Sequence, residues 1–298
     1  MLKQFCAALL LLVWCVPAIA APHVLATIKP IHSLVAGVME GVAKPDLLIG
    51  GALSEHSYAL KPSDARKIEH ASVIFEVGQD LETYLMGPLA ALGGHSNIIA
   101  LEQAPDVKLL VARRGGIWGN DHDEGPNDPH IWLDPQNAIA MTGAIADALE
   151  RADPAHAGQY RVNAARQVAA LTVLDRELAA KLAPIRNRPY IVFHDAYHYF
   201  ESRYGLKPAG AVTVAPDRPV GPRRITQLRS TIVSGHVACI FREPQFPPKL
   251  IESLGEGTKV RIGVLDPLGA ELMPGPRLYP DLLRGLARSL TGCLGKNR

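Results

Sequence analysis

Residues 153–184 read DPAHAGQYRVNAARQVAALTVLDRELAAKLAP and predict one long helix in the middle of the chain. Asp153 is a good N-cap, and proline is well tolerated at the first helical position, where Pro154 stands. Leucines at helical spacing supply an apolar face, and Pro184 is expected to end the helix. From residue 154 to residue 183 such a helix would be about 45 Å long at ~1.5 Å per residue. Its length and position predict a spine that joins two parts of the protein.

Short apolar strands alternate with helical patterns on both sides of this segment. The expected strands are 24–28, 46–49, 73–77, 98–101, 190–193, 209–214, 238–241 and 260–265. This alternation is typical of α/β proteins with parallel sheets. We therefore predict two α/β lobes, each with a parallel sheet, joined by one long rigid helix. The expected units are an N-terminal lobe at 22–152, the connecting helix at 153–183 and a C-terminal lobe at 184–298.

The first 21 residues have the features of an export signal. Lys3 gives a positive start, residues 6–16 form an apolar core, and the small residues of Pro17-Ala-Ile-Ala-Ala21 offer a cleavage site. The apolar run is too short for a convincing membrane-spanning helix. We therefore expect residues 1–21 to be removed and the mature protein to be soluble and exported.

Removal of the signal changes the number of cysteines. Of the four in the sequence, Cys6 and Cys15 leave with the signal, and Cys239 and Cys293 remain. Two cysteines in an oxidising compartment are expected to pair. The alternative is that both bind a metal, although neither belongs to a Cys-x-x-Cys pair.

Composition and charge exclude several classes of function. Of the 298 residues, 48% are hydrophobic and 20% are charged, which is typical of a globular protein with a sizeable core. The net charge of +2 gives no support for binding to nucleic acid or to an anionic membrane. The aromatic content of 6% also argues against the stacking surfaces that bind single-stranded nucleic acid.

Three histidines stand at the ends of predicted elements in separate parts of the chain. The pair Glu55-His56 follows the second predicted strand, His130 precedes a predicted helix, and His194 follows the strand at 190–193. Because ligands of parallel α/β folds bind beyond the carboxyl ends of the strands, these side chains can converge in one cleft. Neutral imidazoles from separate segments suit a tetrahedral zinc site. A single histidine is more often a solvated or packed side chain than a ligand, so the hypothesis needs all three.

The fourth ligand of this site is either a carboxylate or a water. Glu55 precedes one of the histidines, and Asp266 follows the predicted strand at 260–265. Both are candidate ligands, although an aspartate in the sequence Asp-Pro can also cap a turn.

Two further stretches contain histidine. His198 lies four residues after His194, a spacing that zinc can use, but the glutamate of a His-Glu-x-x-His motif is absent and we expect His198 at the surface. Residues 113–129 are rich in turn formers and include Asp121-His-Asp-Glu124. They predict a surface loop that either captures a cation loosely or is merely solvated.

The chain resembles the periplasmic zinc-binding proteins of bacterial ABC importers (ZnuA type), and the motifs that carry the resemblance span nearly the whole mature chain. They are Ile28-Lys-Pro-Ile-His-Ser-Leu-Val-Ala-Gly-Val-Met-Glu-Gly-Val42, Glu55-His-Ser-Tyr-Ala-Leu-Lys-Pro-Ser-Asp64, His130-Ile-Trp-Leu-Asp-Pro135, Phe193-His-Asp-Ala-Tyr197 and Glu243-Pro-Gln-Phe246. The resemblance implies a two-lobed fold with a rigid connecting helix, Zn²⁺ held in the cleft, and delivery to a membrane permease driven by an ATPase. It places the ligand histidines on His56, His130 and His194, and a weak or water-replaceable fourth position on Glu55.

The resemblance also bears on the metal, the cysteines and the acidic loop. Related manganese binders usually have a carboxylate where His194 stands, so the third histidine favours zinc. The disulfide of the zinc subgroup matches Cys239 and Cys293. The long loop of histidines and acids typical of the family is reduced here to little more than Asp121-His-Asp-Glu124, which weakens the case for a second zinc site.

We therefore predict a periplasmic zinc-binding protein that is a monomer, is not an enzyme and binds no nucleic acid. A rival from another class is a zinc hydrolase in which Glu55 acts as the general base on a metal-bound water. Two further hypotheses are a component of a manganese or iron importer, and an adhesin or metal chaperone that keeps the fold without a transporter.

Overall fold

The strands form two separate parallel sheets in the computed structural model, which describes residues 21–56, 58–118, 125–216, 218–234 and 237–295. The first sheet contains, in spatial order, β2 (Asp46–Leu47), β1 (Val24–Ala26), β3 (Val73–Glu76) and β4 (Asn97–Ala100). The second contains β6 (Gly210–Thr213), β5 (Tyr190–His194), β7 (Cys239–Arg242) and β8 (Arg261–Val264). Every pair of neighbouring strands is parallel. The predicted α/β fold with two parallel sheets is confirmed.

All eight predicted strands are present, with ends that differ by a few residues. The central strands β1, β3 and β5 are buried along their whole length. Strands covered on both faces are continuous apolar runs, which makes them easy to find in a sequence. The edge strands β4 and β8 are partly exposed.

Helices cover the faces of both sheets. Those of the first half are α1 (Lys29–Val38), α2 (Pro62–His70), α3 (Met86–Leu92) and α4 (Pro135–Ala152). Those of the second half are α6 (His198–Tyr204), α7 (Pro222–Ser234), α8 (Lys249–Gly255) and α9 (Leu278–Leu294). Between them lies α5 (Ala157–Leu182), the predicted long helix.

The ends of the long helix differ in detail from the prediction. A 3₁₀ turn at Pro154–His156 precedes α5, and a second 3₁₀ turn at Ala183–Ile185 follows it, so Pro184 lies within the last turn. Within the described residues, Asp153 makes no side-chain cap to the backbone. Instead, its carboxylate accepts a hydrogen bond from the hydroxyl of Tyr160 at 2.8 Å and lies 2.8 Å from Nδ1 of His156. Neighbouring side chains therefore compete successfully with the backbone for this carboxylate.

The apolar face of α5 packs against both halves of the protein. On one side α5 contacts α1 and α4, and on the other it contacts α6 and α9. Leu171, Leu174, Leu178 and Leu182 are buried in these contacts. Burial of one leucine side chain stabilises the fold by about 1.5–3 kcal/mol. Helix α5 is therefore the shared core element that joins the two lobes.

Hydrogen bonds also join the lobes directly. The indole Nε1 of Trp132 donates to the carbonyl of Pro267 at 2.9 Å, and the hydroxyl of Tyr279 donates to the carbonyl of Trp132 at 2.7 Å. The buried ammonium of Lys29 donates to the carbonyls of Gly269 and Ala270. These contacts tie the loops that flank the cleft together.

Cys239 of β7 and Cys293 of α9 form a disulfide, with an S–S distance of 2.08 Å. The predicted pairing is confirmed, and the bond ties α9 to the second sheet. Within the part of the chain that the structure describes, we find no helix long and apolar enough to cross a membrane. The predicted signal falls almost entirely on residues 1–20, outside the described residues, and the division into units at residues 152 and 183 stays a proposal.

Candidate metal centre

His56 lies in a loop that leaves the first sheet after β2. Backbone pairing continues past the strand through Leu48 and Ile49, whose amides donate to Ala26 and Thr27 at 2.9 Å. The chain then turns through Gly51, at φ +71°, where a residue with a side chain would be strained. The amide of His56 donates to Oγ of Ser54 at 3.2 Å. The turn thus directs the His56 side chain inward, and 8% of that side chain is exposed.

His130 is held by the aspartate two residues before it. The amide of His130 donates to Oδ1 of Asp128 at 2.9 Å, and its ring Nδ1 lies 2.8 Å from the same oxygen. A carboxylate can only accept, so the proton of the ring is on Nδ1 and Nε2 keeps its lone pair. Burial alone would raise the pKa of Asp128, but the hydrogen bonds and charge of His130 outweigh it and hold that pKa below its usual value. Asp128 therefore stays ionised and fixes both the tautomer and the orientation of the ring.

His194 is the last residue of β5, so the strand itself positions its ring. The residue is 1% exposed. Its Nδ1 lies 3.6 Å from Oε2 of Glu243, too far for a hydrogen bond. The other oxygen of Glu243 accepts a hydrogen bond from the hydroxyl of Tyr197 at 3.0 Å. Burial raises the pKa of Glu243 to about 8.

The three rings converge on one point. The ring centroids of His56 and His130 are 5.4 Å apart, and each lies 4.8 Å from the centroid of His194. One ring nitrogen from each histidine lies within 4.8 Å of the other two. The Nε2 atoms of His56 and His130 are 3.4 Å apart. Two nitrogens that each lie ~2.05 Å from a tetrahedral zinc are separated by about 3.3 Å, so this pair is already at coordination distance.

Burial keeps the cluster neutral. Burial first, and then the neighbouring rings, lower the pKa of His56 and of His194 well below the usual value. Both nitrogens of the His194 ring are buried without a hydrogen-bond partner among the described residues. Such a partnerless polar ring normally costs free energy, and coordination of a cation would remove that cost.

The two candidates for a fourth ligand have different environments. Glu55 is buried, its Oε1 has no hydrogen-bond partner in the described part of the chain, and that oxygen lies 3.8 Å from Nε2 of His56. Burial raises the pKa of Glu55 to about 7. Asp266 instead caps a turn, because its two oxygens accept from the backbone amides of Leu268, Gly269 and Ala270 at 2.6–3.1 Å. Glu55 is therefore available to a metal, whereas Asp266 is occupied by the backbone.

Other residues from the sequence analysis lie outside the cluster. His198 is partly exposed, and its Nδ1 lies 3.5 Å from Oδ2 of Asp128. Asp121-His-Asp-Glu124 lies outside the described residues. Asp128 and Glu243 were missed as partners of the histidines. Asp128 has a visible signal, since it stands two residues before His130, whereas Glu243 approaches His194 only through the fold.

The fold and the cluster are those of a two-lobed protein with a candidate metal site between its lobes. A family model described as zinc-uptake complex component A, periplasmic (ZnuA), matches residues 24–293. The high-affinity zinc uptake system protein ZnuA of Brucella suis biovar 1 (strain 1330) is 45% identical over 306 residues, with 92% of each chain covered. The protein of the same name from Yersinia pestis is 33% identical over 294 residues, with 93% of this chain and 92% of that protein covered.

A solved structure agrees with these sequence relatives. A structure described as the crystal structure of ZnuA has the same fold, with a TM-score of 0.80 at 24% identity over 92% of this chain and 99% of that one. The chain belongs to the ZnuA family.

Proposed function

We propose that this protein captures Zn²⁺ between its lobes and delivers it to the permease of an ABC importer. His56, His130 and His194 are the protein ligands in this proposal. The observation that carries it is the convergence of three buried rings, from three separate segments, with their ring nitrogens within 4.8 Å of one another. The relatives named as zinc uptake proteins support the choice of cargo.

The chemistry of the ligands favours zinc over harder cations. Three neutral imidazoles suit zinc, whereas manganese and magnesium prefer oxygen ligands. Glu55 or a water completes four-coordination as a weak fourth ligand, and Oε1 of Glu55 lies 3.8 Å from Nε2 of His56. A weak fourth ligand suits a protein that must later release its cargo.

A binding role fits the enclosure of the site better than catalysis does. His130 and His194 are 0% and 1% exposed, so the candidate metal site is enclosed by the described residues, as suits a cation that is held for transport. Glu55 is the general base that a hydrolase mechanism would use there. Turnover of an ester, peptide or lactam by the zinc-loaded protein, abolished in Glu55→Gln, would establish the hydrolase instead.

Location and assembly belong to the same proposal. The signal-like residues 1–21 and the family description support export to the periplasm. There the protein would act as a monomer, without nucleic acid, and meet its permease at the membrane.

Competition titration of the chelator-stripped mature protein against Zn²⁺, Mn²⁺ and Fe²⁺ tests the function. We expect one tightly bound Zn²⁺ per chain, retained in the control His70→Ala, because His70 is an exposed histidine at the end of α2. Preference for Mn²⁺ or Fe²⁺ would keep transport but change the cargo. Absence of tight binding would overturn the proposal.

A further inference from the structure

The segment between the first sheet and α4 crosses onto the second lobe. Its two flanks, residues 110–118 and 125–128, are here called the crossing strap. They pair with each other: Val111 bridges Asn127, and the amide of Asp128 donates to the carbonyl of Leu110 at 2.8 Å. Residues 113–129 are predicted as a surface loop, and the described part of that loop also contacts the second lobe.

Tyr199 of α6 holds both flanks at their base. Its hydroxyl donates to the carbonyl of Asp128 at 2.8 Å and accepts from the amide of Leu110 at 3.0 Å. Further along, the strap lies so close to β6 that a side chain on Gly210 would come within 2.7 Å of the carbonyl of Ile117. The strap is therefore fitted to the second lobe over much of its described length.

Arg113 makes charged contacts between the strap and the second lobe. Its Nε and Nη2 donate to the two carboxylate oxygens of Asp195, with 3.1 Å for the Nε bond. Its Nη1 donates to Oε2 of Glu201 at 2.7 Å. The guanidinium also lies 3.7 Å from the centre of the Trp118 ring, a cation–π contact. A bidentate arginine–carboxylate pair fixes direction as well as distance.

Arg113 binds the residue that directly follows a candidate metal ligand. Asp195 comes directly after His194, at the point where β5 ends. The side chain of Asp195 is 9% exposed and that of Glu201 is 2% exposed, so the pair is shielded from water. The other flank of the strap ends at Asp128, which orients His130. One segment of the first lobe is thus tied to two of the three histidines.

We propose that Arg113 is a positioning residue for zinc binding, which orients the ring of His194 by fixing Asp195. The inference rests on the proposed function. Through the strap, a residue of the first lobe sets the position of a ligand in the second lobe. The ring nitrogens of His130 and His194 thereby keep the relative positions that a tetrahedral metal site needs. Loss of the bidentate contact widens the range of orientations open to His194 and shortens the lifetime of the bound metal.

Three variants distinguish a positioning role of Arg113 from a role that only stabilises the contact between the lobes. Arg113→Lys keeps the charge but loses the fork that holds both oxygens of Asp195. Arg203→Lys breaks a fork of the same kind, from Arg203 of α6 to Asp175 of α5, which includes none of the three histidines, and so reports loss of stability alone. Arg114→Ala is the matched control, because Arg114 is an exposed neighbour whose Nη2 donates to the carbonyl of Gly125 at 3.3 Å.

The experiment combines the visible spectrum of the Co²⁺-loaded protein with the rate of Zn²⁺ loss to a chelator. In Arg113→Lys we expect weakened or shifted tetrahedral Co²⁺ bands and Zn²⁺ release faster by about 10-fold. This is the lower end of the effect of residues that are hydrogen-bonded to metal ligands, because Arg113 acts on His194 only through Asp195. Arg114→Ala and Arg203→Lys should keep the wild-type spectrum and rate. If Arg113→Lys does not fold, Asp195→Asn breaks the same contact from the other side and should give the same changes.

Two results would overturn the inference. A wild-type spectrum and release rate in Arg113→Lys, even with a lower melting temperature, would show that Arg113 only joins the lobes. Equal changes in Arg113→Lys and Arg203→Lys would show that loss of stability is the cause. If the wild-type protein itself binds neither Co²⁺ nor Zn²⁺ tightly, the proposed function fails, and the positioning role fails with it.

Discussion

The side chains of His130 and His56 converge on the same candidate metal position, but the segments that carry them differ in burial and in hydrogen bonding. His130 is fully buried, bonded twice to Asp128, and followed by a short turn that leads into α4. His56 lies on a loop whose residues 51–53 are exposed, and its amide has a long bond of 3.2 Å to Ser54. His194 resembles His130, because a buried strand carries it. The difference suggests a fixed pair of ligands and one adjustable ligand, through which a metal would enter and leave.

Replacement of a histidine ligand should have the largest effect on zinc affinity, and it should distinguish the fixed ligands from the adjustable one. If about 10–16 kcal/mol of binding is shared by four ligands, each contributes roughly 2.5–4 kcal/mol, or about 100- to 1,000-fold in affinity. We expect His130→Ala and His194→Ala to lose about 1,000-fold, and His56→Ala about 100-fold because water can enter on its partly exposed side. Competition titration measures all three. Equal losses would remove the distinction between fixed and adjustable ligands.

Asp128→Asn should have the next largest effect. The amide can still accept from the backbone of His130, but it no longer offers a charged acceptor to Nδ1, so the ring is less firmly held. Such changes typically cost about 10- to 100-fold in metal affinity. The melting temperature of the metal-free variant serves as the control for folding. Affinity within twofold of wild type would show that His130 is fixed by packing alone.

Glu243→Gln should cost much less than Asp128→Asn. The nearer oxygen of Glu243 is too far from the His194 ring for a hydrogen bond, and burial raises the pKa of Glu243 to about 8, so the metal-free protein already holds it mainly as the neutral acid at pH 7. We expect a change in affinity of less than about fivefold, the size of one neutral hydrogen bond. A loss as large as that of Asp128→Asn would mean that Glu243 holds His194 when the metal is bound.

Ser54→Ala tests the loop that carries His56, the adjustable ligand. The hydroxyl of Ser54 accepts only a long bond from His56, so we expect at most about a fivefold change in affinity. A larger change, with faster Zn²⁺ release in stopped-flow chelator experiments, would show that the loop is more firmly built than its exposure indicates.

The smallest expected effect concerns the whole molecule. Helix α5 contacts helices of both lobes, and hydrogen bonds such as that from Trp132 to Pro267 join the lobes directly. Metal binding should therefore move the lobes little. Small-angle scattering should give radii of gyration for the metal-free and zinc-loaded protein that agree within about 1 Å. A larger change would place the adjustable part in the lobes rather than in the His56 loop.

Elements that depend on local pattern could be predicted from the sequence. The eight strands and α5 carry continuous or periodic apolar residues. His194 ends β5, His130 directly precedes the turn before α4, and His56 lies in the loop after β2. Contacts between distant segments could not be predicted. Nothing in the sequence around Arg113 indicates Asp195 as its partner. For Asp266 the sequence left both a metal ligand and a turn cap open, and in the structure its carboxylate accepts from the backbone amides of a turn.

The most direct test of the central claim is an anomalous difference map, at the zinc edge, from a crystal of the zinc-loaded protein. We predict one strong peak about 2.0–2.1 Å from a ring nitrogen of each of His56, His130 and His194, with Glu55 or a water in the fourth position. A principal peak elsewhere, or one bonded to fewer than three of these rings, would contradict the account.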